Sequence, residues 1–403
     1  MKRFMIVGGN FVNKGAQAMT FVTIDELRKR FPDCEIHMYT NLNYRDNQKN
    51  YRFKIYDDLF FSMNTWEKTK YFIVSVAKAV LGRPKAFLSF VSYHKYRKKY
   101  TAVFDISGYA LYAADKLHFA EQYLTNIEIP TKYGVPVFLL PQSFGPFNFK
   151  RQKEEMDLRI QNVLSKVQLI FAREEVGYND LNKNYKLDNL VRSYDIVLQS
   201  KRINMKNVFK KLPEIKLPTL EGKENVAIVP NMRNFQNADK EKVLEIYCEF
   251  VNIILHFEKR VYLLRHSYED IIACRQIKEC FSDNEKVILL ENEFTCYEYE
   301  EFVKQFDYLV ASRFHSIVHA YKQGVPCIVL GWADKYHELT GTFGQQAYLF
   351  DIRNSEGKEE IKNAVEKINE NWRKEKAIIL EKLLLIQENN CFDLVAKKLM
   401  EVE

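Results

Sequence analysis

The feature that most constrains the fold of this chain is an alternation of short apolar runs with amphipathic helical segments. Each half of the chain has its own series of these alternating segments. The apolar runs lie at residues 3–7, 35–39, 102–106, 135–140, 168–172, 225–229, 261–264, 287–290, 308–311 and 327–330. Strands that alternate with helices form parallel sheets. The sequence therefore predicts an α/β protein with two Rossmann-like domains that face a cleft.

The domain limits are set by where this alternation stops and restarts. Residues 201–223 are rich in Lys and Asn, carry Pro213 and Pro218, and are predicted to form a linker. We therefore expect an N-terminal domain at 1–200 and a C-terminal domain at 224–352. Residues 353–403 are charged and have a helical pattern without a strand, which predicts a helical tail. A length of 403 residues agrees with more than one domain.

Composition narrows the class of partner. The chain has 60 basic and 53 acidic residues and a net charge of +7, a small excess that suits an anionic substrate and does not indicate nucleic acid. The seven cysteines are scattered, without a C-x-x-C pair, which favours free thiols in a reducing compartment. No signal-peptide pattern begins the chain, so we expect a cytoplasmic protein. We expect no metal site, because the sequence has neither an H-E-x-x-H motif nor a cysteine cluster.

One basic segment at about 65–100 interrupts the alternation in the first half. It mixes apolar residues with many Lys and Arg residues and predicts amphipathic helices that are broken near Gly82 and Pro84. Two interpretations stay open. The segment is either a solvated helical insertion or a surface that rests on anionic lipid at the inner face of the membrane.

The strongest site signal follows the 308–311 run. Arg313 and His315 lie where this predicted strand turns into a helix, and Lys335 follows the next predicted strand. Ligands of open α/β sheets bind at the carboxyl ends of the strands, and helix N-termini favour anions. The pattern predicts a site for a phosphate or a carboxylate. We interpret His319, one turn beyond His315, as a core residue.

Polar side chains also follow other predicted strands. Arg173 and Arg233 are candidate anion ligands, although each could instead be an ordinary surface or ion-paired arginine. Asp105 is a candidate base or a turn carboxylate. Asn10, in the Gly-rich loop after the first strand, is a candidate ligand for sugar hydroxyls, and Gln142 is a candidate substrate contact.

These motifs together resemble the polysaccharide pyruvyl transferase family. The matching pieces are Gly8-Gly9-Asn10-Phe11, Gln142-Ser143-Phe144-Gly145-Pro146, Ala172-Arg173-Glu174, Asn231-Met232-Arg233, Ser312-Arg313-Phe314-His315, Ala320, Gly324-Val325-Pro326 and Lys335. The N-terminal loop departs from the family pattern, because Asn13-Lys14 stands where the family usually has an acidic tail.

The resemblance implies a GT-B-like fold and transfer of pyruvate from phosphoenolpyruvate, as co-substrate without a further cofactor, to two hydroxyls of a sugar. The product is a cyclic ketal, and the sugar is part of a polysaccharide or of a lipid-linked precursor. It assigns donor binding to Arg173, Arg233 and Lys335, catalysis to His315, Arg313 and Asp105, and the acceptor side to Asn10 and Gln142. Two alternatives remain, a GT-B glycosyltransferase that uses a nucleotide sugar and a non-catalytic sugar- or nucleotide-binding protein.

Overall fold

The computed structural model describes residues 1–40, 50–57, 65–81, 100–113, 117–149, 153–353 and 358–401. Two parallel sheets dominate this part of the chain, one in each half. The order of the first sheet is β3-β2-β1-β4-β6-β7-β8, and β5 pairs with the end of β6. Its strands are β1 (Arg3–Val7), β2 (Glu35–Thr40), β3 (Lys54–Asp57), β4 (Ala102–Asp105), β5 (Tyr109–Leu111), β6 (Val137–Phe144), β7 (Leu169–Ala172) and β8 (Leu190–Arg192).

The second sheet has the order β11-β10-β9-β12-β13-β14, again with parallel pairing throughout. Its strands are β9 (Asn225–Val229), β10 (Arg260–Leu264), β11 (Val287–Leu290), β12 (Tyr308–Ala311), β13 (Cys327–Leu330) and β14 (Leu349–Phe350). The central strands β9, β12 and β13 are buried along their whole length. Strands that are covered on both faces read as continuous apolar runs, which is why the sequence revealed them.

Helices flank both sheets. Those of the first half are α1 (Lys14–Arg30), α2 (Thr65–Val80), α3 (His118–Lys132), α4 (Lys153–Leu164), α5 (Glu175–Asn184), α6 (Ile196–Gln199) and α7 (Met205–Val208). Those of the second half are α8 (Met232–Asn237), α9 (Lys240–His256), α10 (Asp270–Glu279), α11 (Cys296–Val303), α12 (Phe314–Lys322) and α13 (Asp334–Thr342). The tail forms α14 (Lys358–Glu388) and α15 (Cys391–Glu401). None of the helices in the described ranges is both long and apolar enough to cross a membrane.

Helix α1 connects the two halves. Asn13 caps its N-terminus, because the side chain accepts hydrogen bonds from the backbone N–H groups of Gly15 (2.9 Å) and Ala16 (3.4 Å). One cluster of buried apolar side chains runs from Phe21 in α1 through Val197 in α6 to Ile317 in α12. The carboxyl ends of the two sheets are therefore held close to each other by a shared core.

Strand β6 continues further than the sequence indicated. Residues 141–147 read as a loop after a strand that ends at 140, yet β6 runs through Pro141 to Phe144. Its pairing with β7 shifts register between Leu139 and Gln142, which accommodates the proline, and its last residues pair with β5. Of the basic segment at 65–100, only residues 65–81 and 100 are described, and residues 82–99 lie outside the described ranges.

Candidate active site

The loop between β12 and α12 is fixed by its neighbours in the second sheet. Arg313 is the N-cap residue of α12. The carbonyl oxygen of Ser312 accepts hydrogen bonds from the Tyr336 hydroxyl (2.9 Å) and from Nδ2 of Asn231 (3.3 Å). Asn231 itself caps α8 by accepting from the backbone N–H of Arg233 (3.0 Å). The ends of β9, β12 and β13 thus converge, as expected for neighbouring parallel strands.

The side chain of Arg313 is engaged by carboxylates. Its Nε lies 2.9 Å from Oδ2 of the buried Asp270, and its Nη2 lies 2.6 Å from Oε1 of Glu269. Asp270 also accepts from the backbone N–H groups of Met232 (3.0 Å) and Ser267 (2.8 Å). The Arg313–Asp270 pair therefore ties three loops of the second sheet together, and much of the arginine charge is already balanced.

Lys335, near the N-terminus of α13, is different because none of the residues in the described ranges forms an ion pair or a hydrogen bond with its ammonium group. Aromatic rings surround the group instead. Its Nζ lies 5.5 Å from the ring centroids of Phe314 and Tyr336 and 5.7 Å from that of Tyr109. Burial, together with the positive field of Arg173, lowers the pKa of Lys335 to about 8. The cation is held in place without being neutralised.

Arg233 is the second cation of this kind. Its side chain is exposed on α8 and pairs with no carboxylate of the described ranges. Arg233 lies close enough to Lys335 for its positive charge to contribute to the lowering of the lysine pKa. Lys335 and Arg233 are thus the two predicted donor ligands whose charge is available to an anion.

Arg173, which follows β7, is buried within a network of its own. Its Nε donates to Oε1 of Glu174 (2.7 Å), its Nη1 to Oδ2 of Asp195 (2.9 Å) and its Nη2 to Oγ of Ser143 (2.6 Å). Its guanidinium also lies 4.3 Å from the ring centroid of Phe314. All three guanidinium nitrogens donate to groups of the protein. Arg173 therefore holds neighbouring side chains in place, and its charge is largely balanced by the two carboxylates.

His315 lies at the boundary between the two halves. Its Nε2 is 3.5 Å from Oδ2 of Asp195 and has no hydrogen-bond partner among the described atoms. Burial lowers the pKa of His315 below its usual value, and the positive charge of Arg173 adds to this, although Asp195 acts in the opposite direction. Gly15 packs directly on the ring, since a Cβ at that position would lie 2.1 Å from Cγ of His315.

The carboxyl edge of the first sheet has another character. Asp105 is fully buried at the end of β4, and its Oδ1 accepts from the backbone N–H of Ser107 (2.9 Å), with Nε2 of Gln142 at 3.5 Å. Its Oδ2 has no hydrogen-bond partner among the atoms described. Burial raises the pKa of Asp105 to about 6. Gln142 is held in turn by the Tyr123 hydroxyl, which donates to its Oε1 (3.0 Å).

The hydrogen bond that the Asn10 side chain makes lies within its own loop. Its Oδ1 accepts from the backbone N–H of Asn13 (3.0 Å), which closes the turn before α1. His319 is fully buried, and its Nδ1 is 3.4 Å from Oε2 of Glu300.

Among the predicted site residues, the structure brings together Arg173, Arg233, Arg313, His315 and Lys335, and separately pairs Asp105 with Gln142. In the described ranges, no three His, Cys, Asp or Glu side chains are grouped so that they could hold a metal ion.

The comparison with protein families gives this arrangement its context. The family described as polysaccharide pyruvyl transferase matches residues 13–334, which is most of the chain. The chain belongs to the polysaccharide pyruvyl transferase family. It is therefore a transferase, and the resemblance read from the sequence motifs is confirmed. No curated protein shows significant sequence similarity to the chain.

Solved structures similar to this family member are enzymes of the GT-B fold. UDP-GlcNAc 2-epimerase from Methanocaldococcus jannaschii aligns with a TM-score of 0.54 at 13% identity, over 91% of this chain and 92% of the epimerase chain. The Neisseria meningitidis UDP-GlcNAc 2-epimerase gives 0.53 at 12% over 95% and 100%. Medicago truncatula UGT71G1 gives 0.52 at 11% over 100% and 96%. The predicted GT-B-like fold, with its helical tail, is confirmed.

Two carboxylates of this transferase were missed by the sequence analysis. Asp270 follows β10, whose end carried no motif that drew attention. Asp195 follows β8, which has only three residues and gave no clear strand signal. One signal was present, since Asp195 precedes the apolar run Ile196-Val197-Leu198, and an aspartate before such a run is typical of a helix N-cap.

Proposed function

We propose that this transferase moves the pyruvyl group of phosphoenolpyruvate onto two hydroxyls of one sugar and forms a cyclic ketal. The observation that supports this most is the pair of uncompensated cations, Lys335 and Arg233, beside the N-terminus of α12. Phosphoenolpyruvate carries a phosphate and a carboxylate, and both are strong acceptors for charged donors. The second sheet offers the positive edge that such a donor needs.

The reaction balances without an oxidant or a reductant. A proton is added to the methylene carbon of phosphoenolpyruvate, which becomes the methyl group, and one sugar oxygen bonds to the central carbon. The bond between this carbon and the phosphate oxygen then breaks, and the second sugar oxygen bonds to the same carbon. Of the two hydroxyl protons, one replaces the proton given to the methylene carbon and the other leaves with inorganic phosphate.

The residues take the following roles in this proposal. Lys335 and Arg233 bind the anionic donor. Arg173 and Arg313 are held in ion pairs and fix the loops that surround the donor. His315 is the acid that protonates the methylene carbon. Asp105 is the base on the acceptor side, because a carboxyl with a pKa of about 6 is largely ionised at neutral pH. Asn10 contacts an acceptor hydroxyl, and Gln142, which is fully buried, acts on the acceptor side by holding Asp105.

The lowered pKa of His315 has a consequence for donor binding. In the free protein at neutral pH, the imidazole is mostly neutral and cannot act as an acid. A bound phosphate dianion favours the imidazolium, since an opposite charge nearby raises the pKa of a histidine. Phosphoenolpyruvate binding is therefore coupled to proton uptake, which charges the acid only when its substrate is present.

The acceptor in this proposal is a sugar of a polysaccharide or of its lipid-linked precursor. A lipid-linked acceptor brings the first half of the molecule to a membrane surface. Helix α2 and the residue after it support such a contact, because Ile73, Val80 and Leu81 expose 61%, 82% and 78% of their surfaces in a basic stretch of sequence.

The test is ligand binding by the full chain without an acceptor. Phosphoenolpyruvate should raise the melting temperature, because a ligand at about 100 times its Kd stabilises the native state by about 2.7 kcal/mol. Titration calorimetry in buffers of different ionisation enthalpy should detect the proton uptake. UDP-GlcNAc is the comparison ligand, and Lys335→Ala is the matched variant. A rise in melting temperature with UDP-GlcNAc and none with phosphoenolpyruvate would favour a nucleotide-sugar glycosyltransferase.

A further inference from the structure

The ring of His315 is enclosed by residues from the other half of the molecule. His315 belongs to α12 of the second sheet, yet Gly15 at the start of α1 packs against its Cγ and Nδ1. On the other side, Asp195 from the loop after β8 faces Nε2 at 3.5 Å. The first half therefore contributes both the surface against the ring and the acidic group nearest to it.

The Asp195 carboxylate is itself held rigidly. Its Oδ1 accepts from the backbone N–H of Val197 (2.9 Å) and so caps α6. Its Oδ2 accepts from Nη1 of Arg173 (2.9 Å) and is the oxygen that faces His315. Because both oxygens are fixed and the residue is buried, the carboxylate cannot turn away from the ring.

The other charged groups around His315 do not replace Asp195. Arg173 and His319 oppose a charge on the ring, and His266 is another histidine nearby. Lys14 of α1 donates to the carbonyl oxygen of His266 (2.9 Å). Glu300 of α11 is taken up by His319, Lys322 and Gln323. Of the carboxylates in the described ranges, Asp195 alone lies within 4.0 Å of a His315 ring nitrogen.

We propose that Asp195 is a positioning residue, which orients the His315 imidazolium across the boundary between the two halves so that it can deliver a proton. Nε2 is buried and faces Asp195, whereas the His315 side chain as a whole keeps 14% of its surface exposed beside Gly15. The proton that moves to the methylene carbon is therefore the one on the other nitrogen, Nδ1. The ring then becomes neutral and keeps its Nε2 proton. The role as a donor of this proton rests on the proposed function. The electrostatic contact between Asp195 and His315 does not.

The first measurement needs no substrate. The titration of the His315 ring in the full chain is followed by NMR on ¹³C-labelled histidine, with the signal assigned by its loss in His315→Gln. In Asp195→Asn, which keeps the N-cap, the midpoint should move to lower pH, because a negative charge that favours the imidazolium is gone. Glu174→Gln is the matched control, since it also removes one carboxylate from Arg173 but none from beside His315.

An unchanged His315 midpoint in Asp195→Asn would overturn the proposal. Asp195→Ser, which also caps a helix, is a second variant in case the first does not fold. The second measurement is turnover with phosphoenolpyruvate. In Asp195→Asn, kcat should fall on the order of 10-fold or more, and the KM for phosphoenolpyruvate should rise by a smaller factor, because donor binding is coupled to protonation of the ring. A shifted midpoint with unchanged kcat would also overturn the role in proton delivery. A failure of phosphoenolpyruvate to bind to the parent would instead count against the proposed function alone.

Discussion

The carboxyl edges of the two sheets are built by the same topology but carry opposite chemistry. At the first edge, Asp105 presents a buried carboxylate oxygen without a hydrogen-bond partner among the described atoms, beside the neutral Gln142. At the second edge, Lys335 and Arg233 present positive charge that forms no ion pair with a carboxylate of the described ranges, although Glu174 acts on Lys335 from a greater distance. Parallel strand ends form a crevice in either case, so the side chains at these ends decide the ligand. The proposed function accordingly assigns sugar hydroxyls to the first edge and the anionic donor to the second.

Arginines show the same contrast within the site. Arg173 and Arg313 both follow a strand, and each forms ion pairs with two carboxylates, whereas Arg233 pairs with none in the described ranges. A buried arginine that lacks a partner is costly, and a partner removes most of its attraction for an added anion. The paired arginines therefore act as framework, and the uncompensated cations are the ones to test as ligands.

The largest effect is expected from His315→Ala. Loss of the acid should lower kcat by about 10²- to 10⁴-fold, which is the usual contribution of general acid–base catalysis. The matched control is His319→Ala, one turn further along α12 and also buried, which should act mainly on the melting temperature. Turnover and melting are measured for both variants. A His315→Ala protein that retains kcat within a few-fold of the parent would remove the histidine from the mechanism.

The second prediction separates the free cations from the paired ones. Lys335→Ala removes a charge-assisted contact to the donor and should weaken phosphoenolpyruvate binding by about 1.5–3 kcal/mol, or roughly 10- to 100-fold in Kd. Arg233→Ala should weaken it less, because its side chain is exposed and screened. Arg313→Ala should instead lower the melting temperature, since Asp270 would stay buried without its partner. Titration calorimetry and thermal unfolding measure these effects.

The pKa of Lys335 also predicts how phosphoenolpyruvate affinity changes with pH. It is lowered to about 8, so the ammonium is lost as the pH rises through that value, and phosphoenolpyruvate affinity should fall there. Lys335→Arg keeps a charge that does not titrate in this range, so between about pH 7 and about pH 9 its affinity should fall less steeply than that of the parent and should keep only the decline due to proton uptake at His315. An equal decline in the parent and in Lys335→Arg would assign the pH dependence to another group.

How far the sequence predicted this site depends on the range of the interactions. The junction of β12 and α12, with Arg313 and His315, was predictable because a buried strand and the start of a helix are local patterns. The partners of the arginines were not. Asp195 lies 22 residues from Arg173, and Asp270 lies 43 residues from Arg313. Ion pairs between elements depend on tertiary packing, which periodicity does not encode. This is why Arg173 and Arg313 looked equivalent to Lys335 in the sequence.

The smallest expected effect concerns the membrane, and it extends the comparison to the outer surfaces of the two halves. Helix α2 in the first half, with the residue that follows it, exposes Ile73, Val80 and Leu81, whereas α14 in the tail exposes Leu384 and Leu385. Only α2 lies in a strongly basic stretch of sequence. Each Lys or Arg near anionic lipid contributes about 1 kcal/mol, and salt screens this attraction.

Flotation with phosphatidylcholine vesicles, with and without phosphatidylserine, should therefore show weak binding that needs phosphatidylserine and is lost at high salt. Serine at Ile73, Val80 and Leu81 should abolish this binding, whereas serine at Leu384 and Leu385 should not. Equal flotation of the two variants would mean that α2 does not face the lipid and that the acceptor reaches the first sheet from solution.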